Sequence, residues 1–143
     1  MNGSLFFLDT NIVAYTFDKT APEKQRVSQQ LLEKALCNEG VISYQVVQEF
    51  INIALRKFNP PMTERQAKRY LQTVLLQICG YYPADIFFER GLDIYKRWRF
   101  GWYDSLIIAA ALELNCDVLY SEDLQHKQEI ETLTVINPFA QID

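Results

Sequence analysis

Asp104-Ser105-Leu106-Ile107-Ile108-Ala109-Ala110-Ala111-Leu112-Glu113-Leu114-Asn115-Cys116-Asp117-Val118-Leu119-Tyr120 is the stretch that decides the fold class. From Leu106 to Leu114 eight of nine residues are apolar, and a helix that is apolar on every side belongs in a protein interior. Val118-Leu119-Tyr120 then predicts a short buried strand. A buried helix feeding a buried strand is the repeating unit of an α/β layer.

The same alternation extends outward in both directions. Leu5-Phe6-Phe7-Leu8 predicts a first strand, closed by a polar turn at Asp9-Thr10-Asn11. Thr20-Ala21-Pro22-Glu23 has the form of a capping box and opens a helix that runs to Asn38, where Gly40 stops it. A strand is expected over 41–43, and a helix from Tyr44 until Asn59-Pro60-Pro61 ends it. Thr63, with Gln66 three residues on, recaps a helix reaching about Cys79. A strand over 81–84, a helix over 86–97, a helix over 105–114 opened by Asp104, and a last strand over 132–136 complete the pattern. The expectation is a single domain over 1–143, a three-layer α/β/α fold on a central parallel sheet of four to five strands.

The longest apolar run, Leu106 to Leu112, has seven residues, far short of the roughly 20 that cross a bilayer. The apolar run before Asp9, Leu5 to Leu8, has only four residues, too few for a secretory signal, so a cytoplasmic location is expected. Cys37, Cys79 and Cys116 contain no C-x-x-C pair and read as small buried hydrophobes. With one histidine, His126, sites needing two imidazoles are excluded, and any metal must be held by oxygen. His126 itself reads as a loop or helix-end residue.

The net charge of −4 conceals a division. Between Arg56 and Arg99 lie nine bases and four acids, while the rest of the chain carries five bases and 14 acids. A basic segment therefore remains for a polyanion, and the excess acids need a role.

In a parallel sheet, ligands bind at the carboxyl ends of the strands. Asp9 follows the first strand and Asp123 follows Tyr120 by three residues, so both are expected at that edge. Asp117 precedes its strand, about 20 Å away in extended chain, and is left out. Asp104 has two readings, a site acid in an enclosed helix turn or a helix cap that favours the dipole. Glu49 falls with Gln45, Asn52 and Arg56 on the polar side of its helix, which by periodicity reads as a solvated face.

The runs Phe7-Leu8-Asp9-Thr10-Asn11-Ile12, Ser43-Tyr44-Gln45-Val46-Val47-Gln48-Glu49-Phe50, Trp102-Tyr103-Asp104-Ser105-Leu106-Ile107-Ile108-Ala109-Ala110-Ala111 and Leu119-Tyr120-Ser121-Glu122-Asp123-Leu124-Gln125 resemble the four acidic motifs of PIN-domain ribonucleases, most closely VapC-like toxins. The resemblance spans essentially the whole chain, in family order. It implies that Asp9, Glu49, Asp104 and Asp123 bind Mg²⁺ or Mn²⁺ and carry catalysis, with Asp123 preferred over its neighbour Glu122. It further implies an endoribonuclease, a homodimer and a VapB-type antitoxin. One departure is Lys127, where relatives often carry a glycine, and it bears on the shape of that loop.

Thr10, Asn11, Ser121 and Glu122 are candidate supporting residues, with turn chemistry and capping as the other reading. Lys96, Arg97, Arg99 and Trp102 lead into Asp104 and are candidate RNA contacts, unless Trp98, Phe100 and Trp102 simply pack a corner of the core. Two other classes share parts of this pattern. A receiver-type phosphoaspartyl domain needs a lysine after the last strand, and residues 132–143 contain none. A PIN-like domain that binds without cutting would present nearly the same sequence.

Overall fold

The computed structural model describes residues 4–142. In chain order the elements are β1 (Phe6–Leu8), α1 (Thr10–Tyr15), α2 (Pro22–Lys34), β2 (Gly40–Ser43), α3 (Tyr44–Arg56), α4 (Glu64–Tyr70), α5 (Leu76–Ile78), β3 (Cys79–Tyr81), α6 (Asp85–Trp98), α7 (Trp102–Glu113), β4 (Val118–Tyr120), β5 (Glu129–Ile130) and β6 (Leu133–Ile136). A wider-wound turn, Leu71–Leu75, joins α4 to α5.

The strands form one sheet in the order β3-β2-β1-β4-β6-β5. All pairings are parallel except β5 with β6. The expected three-layer α/β/α architecture is observed, with six strands rather than four to five. The extra strand is β5, two residues long, which the sequence pattern concealed because Glu129 is exposed and only Ile130 is buried.

Core formation follows the opening stretch. Every residue of α7 from Ser105 to Leu112 is buried, and Phe7, Leu8, Ile42, Leu119, Leu133 and Val135 are fully enclosed on the strands. Each large apolar side chain so buried contributes about 1.5–3 kcal/mol relative to exposure. Gly40 is required by close approach, since a Cβ there would lie 2.2 Å from the Phe6 ring.

Local expectations were corrected in several places. The polar turn after β1 is the start of α1, with Asp9 as its N-cap. Thr20 does not cap α2. Its amide and hydroxyl both donate to Asp18 Oδ1, at 3.0 and 2.6 Å, and Ala21 is the N-cap without a side-chain bond. At Thr63 the capping box with Gln66 forms as expected. The strand expected over 81–84 lies instead at Cys79–Tyr81, beside β2. Of the cysteines only Cys116 is buried, Cys79 being half-buried and Cys37 exposed. Among the described residues no helix is long and apolar enough to cross a membrane.

Candidate active site

The register of β1 on β4 pairs Leu8 with Tyr120, so the residues that follow each strand meet at the sheet's carboxyl edge. Asp9 donates its amide to the Tyr120 carbonyl at 3.0 Å. Its side chain is buried and both oxygens are held, Oδ1 by the Thr10 amide at 2.7 Å and Oδ2 by the Ser121 hydroxyl at 2.8 Å.

Glu49 projects from α3, which follows β2. Its Oε1 accepts from the Thr10 hydroxyl at 2.5 Å and its Oε2 from Gln45 Nε2 at 3.2 Å. Gln45 Nε2 also donates to the Tyr103 carbonyl at 3.2 Å, tying α3 to the start of α7. Both partners of that nitrogen are acceptors, which fixes the orientation of the amide. The stripe Gln45, Glu49, Asn52, which periodicity assigned to solvent, lines a cavity.

Asp104 lies in the first turn of α7. The cap reading is corrected, because α7 begins two residues earlier, at Trp102, and its N-cap is Gly101 with no side-chain cap bond. Gly101 has no side chain with which to cap, so the sequence signal for the true boundary was hidden by the prominent Asp104. The carboxylate keeps a favourable place at the positive end of the helix dipole.

Glu122 and Asp123 diverge. Asn11 Nδ2 donates to Asp123 Oδ2 at 2.9 Å, holding it toward α1 at the cavity. One turn on, Tyr15 donates to Glu122 Oε1 at 2.7 Å, and Lys24 forms an ion pair with Glu122 Oε2. Lys24 also stands over the rings of Tyr15 and Phe139, 5.1 and 5.4 Å from their centroids. Burial raises the Glu122 carboxyl, but the bonds and charge of Lys24 and Tyr15 outweigh it and hold it below its ordinary range.

Asp9, Thr10, Asn11, Gln45, Glu49, Asn52, Ile53, Tyr103, Asp104, Ile107 and Asp123 thus surround one cavity of about 310 Å³. No lysine or arginine is among them. Burial pushes the Asp9 carboxyl up to about 6, against the bonds from Ser121 and Thr10, with Asp104 and Glu49 adding repulsion. Asp104 is raised by burial, then by Asp123 and Glu49. The four acids therefore share one electrostatic environment with excess negative charge.

Among the described residues no three acids, histidines or cysteines are grouped closely enough to form a ready metal cage. The donor set still fits a hard divalent cation, since Mg²⁺ is bound through one or two carboxylates with several waters retained. Lys96, Arg97 and Arg99 are exposed and lie outside the cavity lining. Trp102 is half-buried against the core, near Gly91 of α6. Gln45, Asn52 and Tyr103 were not among the candidate site residues; the polar stripe on α3 was the only signal for Gln45 and Asn52, and Tyr103 lies beside Asp104 in the first turn of α7.

A family model described as PIN domain matches residues 6–128. The chain belongs to the PIN domain family. Among solved structures, a toxin-antitoxin complex from Klebsiella pneumoniae is similar at 20% identity and TM-score 0.66, over 95% of this chain and 98% of that one. VapBC2 from Rickettsia felis, bound to a DNA fragment from its promoter, is similar at 18% identity and TM-score 0.62, over 92% and 96%. VapBC-1 from nontypeable Haemophilus influenzae is similar at 20% identity and TM-score 0.58, over 94% and 98%. These likenesses establish the fold. No curated protein matches the chain.

Proposed function

We propose that this PIN domain is a Mg²⁺- or Mn²⁺-dependent endoribonuclease, the toxin of a VapBC-type pair. The observation that carries the reading is the arrival of Asp9, Glu49, Asp104 and Asp123, from four separate chain segments, at one cavity lined by no basic residue.

Asp9, Asp104 and Asp123 would hold the cation, directly or through water. When bound, it supplies charge neutralisation at the scissile phosphate and a more acidic water. Glu49, fixed by Thr10 and Gln45, is placed to bind the ion or to accept a proton at Oε2 from the attacking water. Ser121 keeps Asp9 oriented, and Asn11 does the same for Asp123. Glu122 is spent on Lys24 and Tyr15 and takes no part in the reaction. Lys96, Arg97 and Arg99, outside the cavity, would attract RNA at longer range, with Trp102 a structural neighbour.

The relatives in toxin-antitoxin complexes support a small VapB-type antitoxin as partner. Phe88, Leu92 and Tyr95 recur at helical spacing on α6 and are each at least half exposed, which supports a second copy as partner. The alternative is a PIN-like domain that binds RNA or protein without cutting, and the lack of a ready cage among the described residues is the observation on its side.

The deciding experiment is cleavage of total bacterial RNA by antitoxin-free protein, read by end-mapping, with Mn²⁺, with EDTA and with Asp104→Asn. Discrete cuts only for the unaltered protein with metal are expected. Metal-independent cuts, or cuts that persist in Asp104→Asn, would overturn the reading.

A further inference from the structure

The acidic cavity has one aromatic residue in its wall, Tyr103. Its chain neighbour Trp102 is half-buried against the core, whereas Tyr103 is 66% exposed, the most open large apolar side chain among the described residues. Its backbone is nevertheless fixed. Gln45 Nε2 donates to the Tyr103 carbonyl and to Glu49 Oε2, each at 3.2 Å, and Asp104 is the next residue on the buried helix α7. The ring is thereby tied to two of the four acids. Tyr44 and Tyr82, also exposed, follow β2 and β3 at the same carboxyl edge and pair with each other, ring centroids 5.7 Å apart. Tyr103 has no ring partner among the described residues.

A larger cavity of about 1020 Å³, the groove lined by Phe17, Phe58 and Tyr70 between the end of α1 and the corner from α3 to α4, adjoins the acidic one through Asn11 and Ile53. Gln45, Tyr103 and Asp104 line the acidic cavity alone, so Tyr103 stands on a wall which that groove does not share. The neighbouring chemistry names its occupant. A cation held by the four acids draws a phosphodiester to the cavity, and the base of that nucleotide lies one sugar away from the phosphate. An open, uncharged ring there matches the π face of a base. A protein partner fits less well, because covering the ring would also desolvate Gln45 and Asp104 beside it.

We infer that the Tyr103 ring is the platform on which the nucleobase adjoining the bound phosphate stacks. The inference rests on the ribonuclease reading for its substrate and deepens it. The acids handle the phosphate, while Tyr103 responds to the area of the base face, so a purine beside the cut is favoured over a pyrimidine. It also places a substrate contact next to Asp104 that carries no charge, distinct from the exposed cations Lys96, Arg97 and Arg99.

The test uses the full chain with Tyr103→Leu, which removes the ring but keeps an apolar side chain, and Tyr103→Phe, which keeps the ring. Melting temperature checks folding and is expected to move little, the position being exposed. Fluorescent oligoadenylate, oligouridylate and an abasic ribose-phosphate strand of equal length are titrated by anisotropy in Ca²⁺, which takes the same oxygen ligands, with a gel to verify that the strands stay whole. Homopolymers make the result independent of binding register. Unaltered protein is expected to prefer oligoadenylate to the abasic strand. Tyr103→Leu should lose about tenfold on oligoadenylate, less on oligouridylate and little on the abasic strand, while Tyr103→Phe binds as the unaltered protein does. The salt dependence should keep its slope, since no phosphate contact is removed. Unchanged affinity in Tyr103→Leu overturns the inference, as does equal loss on adenylate and abasic strands or equal loss in the two variants. A changed assembly state of Tyr103→Leu on gel filtration, with its base preference intact, also overturns it and makes the ring an interface residue. Cleavage with Mn²⁺ is scored separately. A Tyr103→Leu protein that binds and cuts normally sinks the platform alone, whereas unaltered protein that stacks adenylate through Tyr103 without cutting sinks the ribonuclease reading alone.

Discussion

The Thr10 hydroxyl donates to Oε1 of Glu49 at 2.5 Å, joining residues 39 positions apart in the chain. It turns an acid on a polar helix face into a fixed member of the cavity. The same residue's amide holds Asp9, so Thr10 orients two acids from one backbone position.

Thr10→Val removes the hydroxyl while keeping the shape of a buried residue. Glu49 then retains only Gln45 as a partner. RNA cleavage is expected to fall about tenfold or more, the usual cost of losing an outer hydrogen bond to a metal-site acid, while stability changes by only about 1 kcal/mol. Thr10→Ser should restore cleavage, since it returns the donor. Rates and urea midpoints measured together distinguish this from simple unfolding, and an unaffected rate would remove Thr10 from the site.

Asp9 gives the protein a distinctive pH response. Its carboxyl is pushed up to about 6 by burial and by its acidic neighbours, against about 3.9 in an unfolded chain. The native state therefore binds the proton more tightly, and stability contributed by this group rises as pH falls through about 6 toward 4. Two pKa units correspond to about 3 kcal/mol at most. Glu122, held below its ordinary range, acts in the opposite sense only at lower pH. In EDTA the melting temperature should rise from pH 7 to about pH 5. Millimolar Mn²⁺ should raise it most at pH 7, by binding the native state, and Asp9→Asn should flatten both responses. A melting temperature indifferent to pH and metal would refute the shared electrostatic site.

Much of this was legible in the sequence for a physical reason. The fully apolar α7 and the short apolar strands β1 and β4 can fold only as buried elements, and their order fixes which acids reach the sheet's carboxyl edge. Glu49 was ambiguous because periodicity separates apolar from polar faces but does not distinguish a solvent face from a polar cavity wall. The start of α7 was misread because Asp104 is a better cap residue than Gly101, and tertiary placement overrode that preference. The groove at Phe17 was invisible, since it depends on α1 and the α3–α4 corner meeting in space. Cations near Asp104 in sequence drew attention to Lys96, Arg97 and Arg99, which are exposed and lie outside the cavity lining.

Adjacent acids with opposite surroundings predict opposite mutant behaviour. Asp123→Asn keeps an oxygen for Asn11 to bond and removes one repelling charge near Asp104, so stability should hold or rise while cleavage is abolished. Glu122→Gln weakens a partly exposed contact with Lys24 and Tyr15, costing about 1 kcal/mol and leaving cleavage largely intact. Thermal melts and cleavage rates on both variants check the assignment. The reverse pattern would make Glu122 the inner acid.

Lys127 adopts the left-handed backbone region, with φ of 70°, in the turn between β4 and β5. Its amide donates to the Val135 carbonyl at 2.7 Å, which fixes the turn against β6. Residues that carry a Cβ pay about 1 kcal/mol for this conformation, whereas glycine does not. Lys127→Gly should therefore stabilise the protein, by less than about 1 kcal/mol because glycine also loosens the unfolded chain. Lys127→Val should destabilise it by more than that, since a branched Cβ tolerates the left-handed region worst. Urea midpoints of the three proteins provide the measurement. If glycine and valine act alike, the turn relaxes out of the left-handed conformation and Lys127 carries no backbone strain.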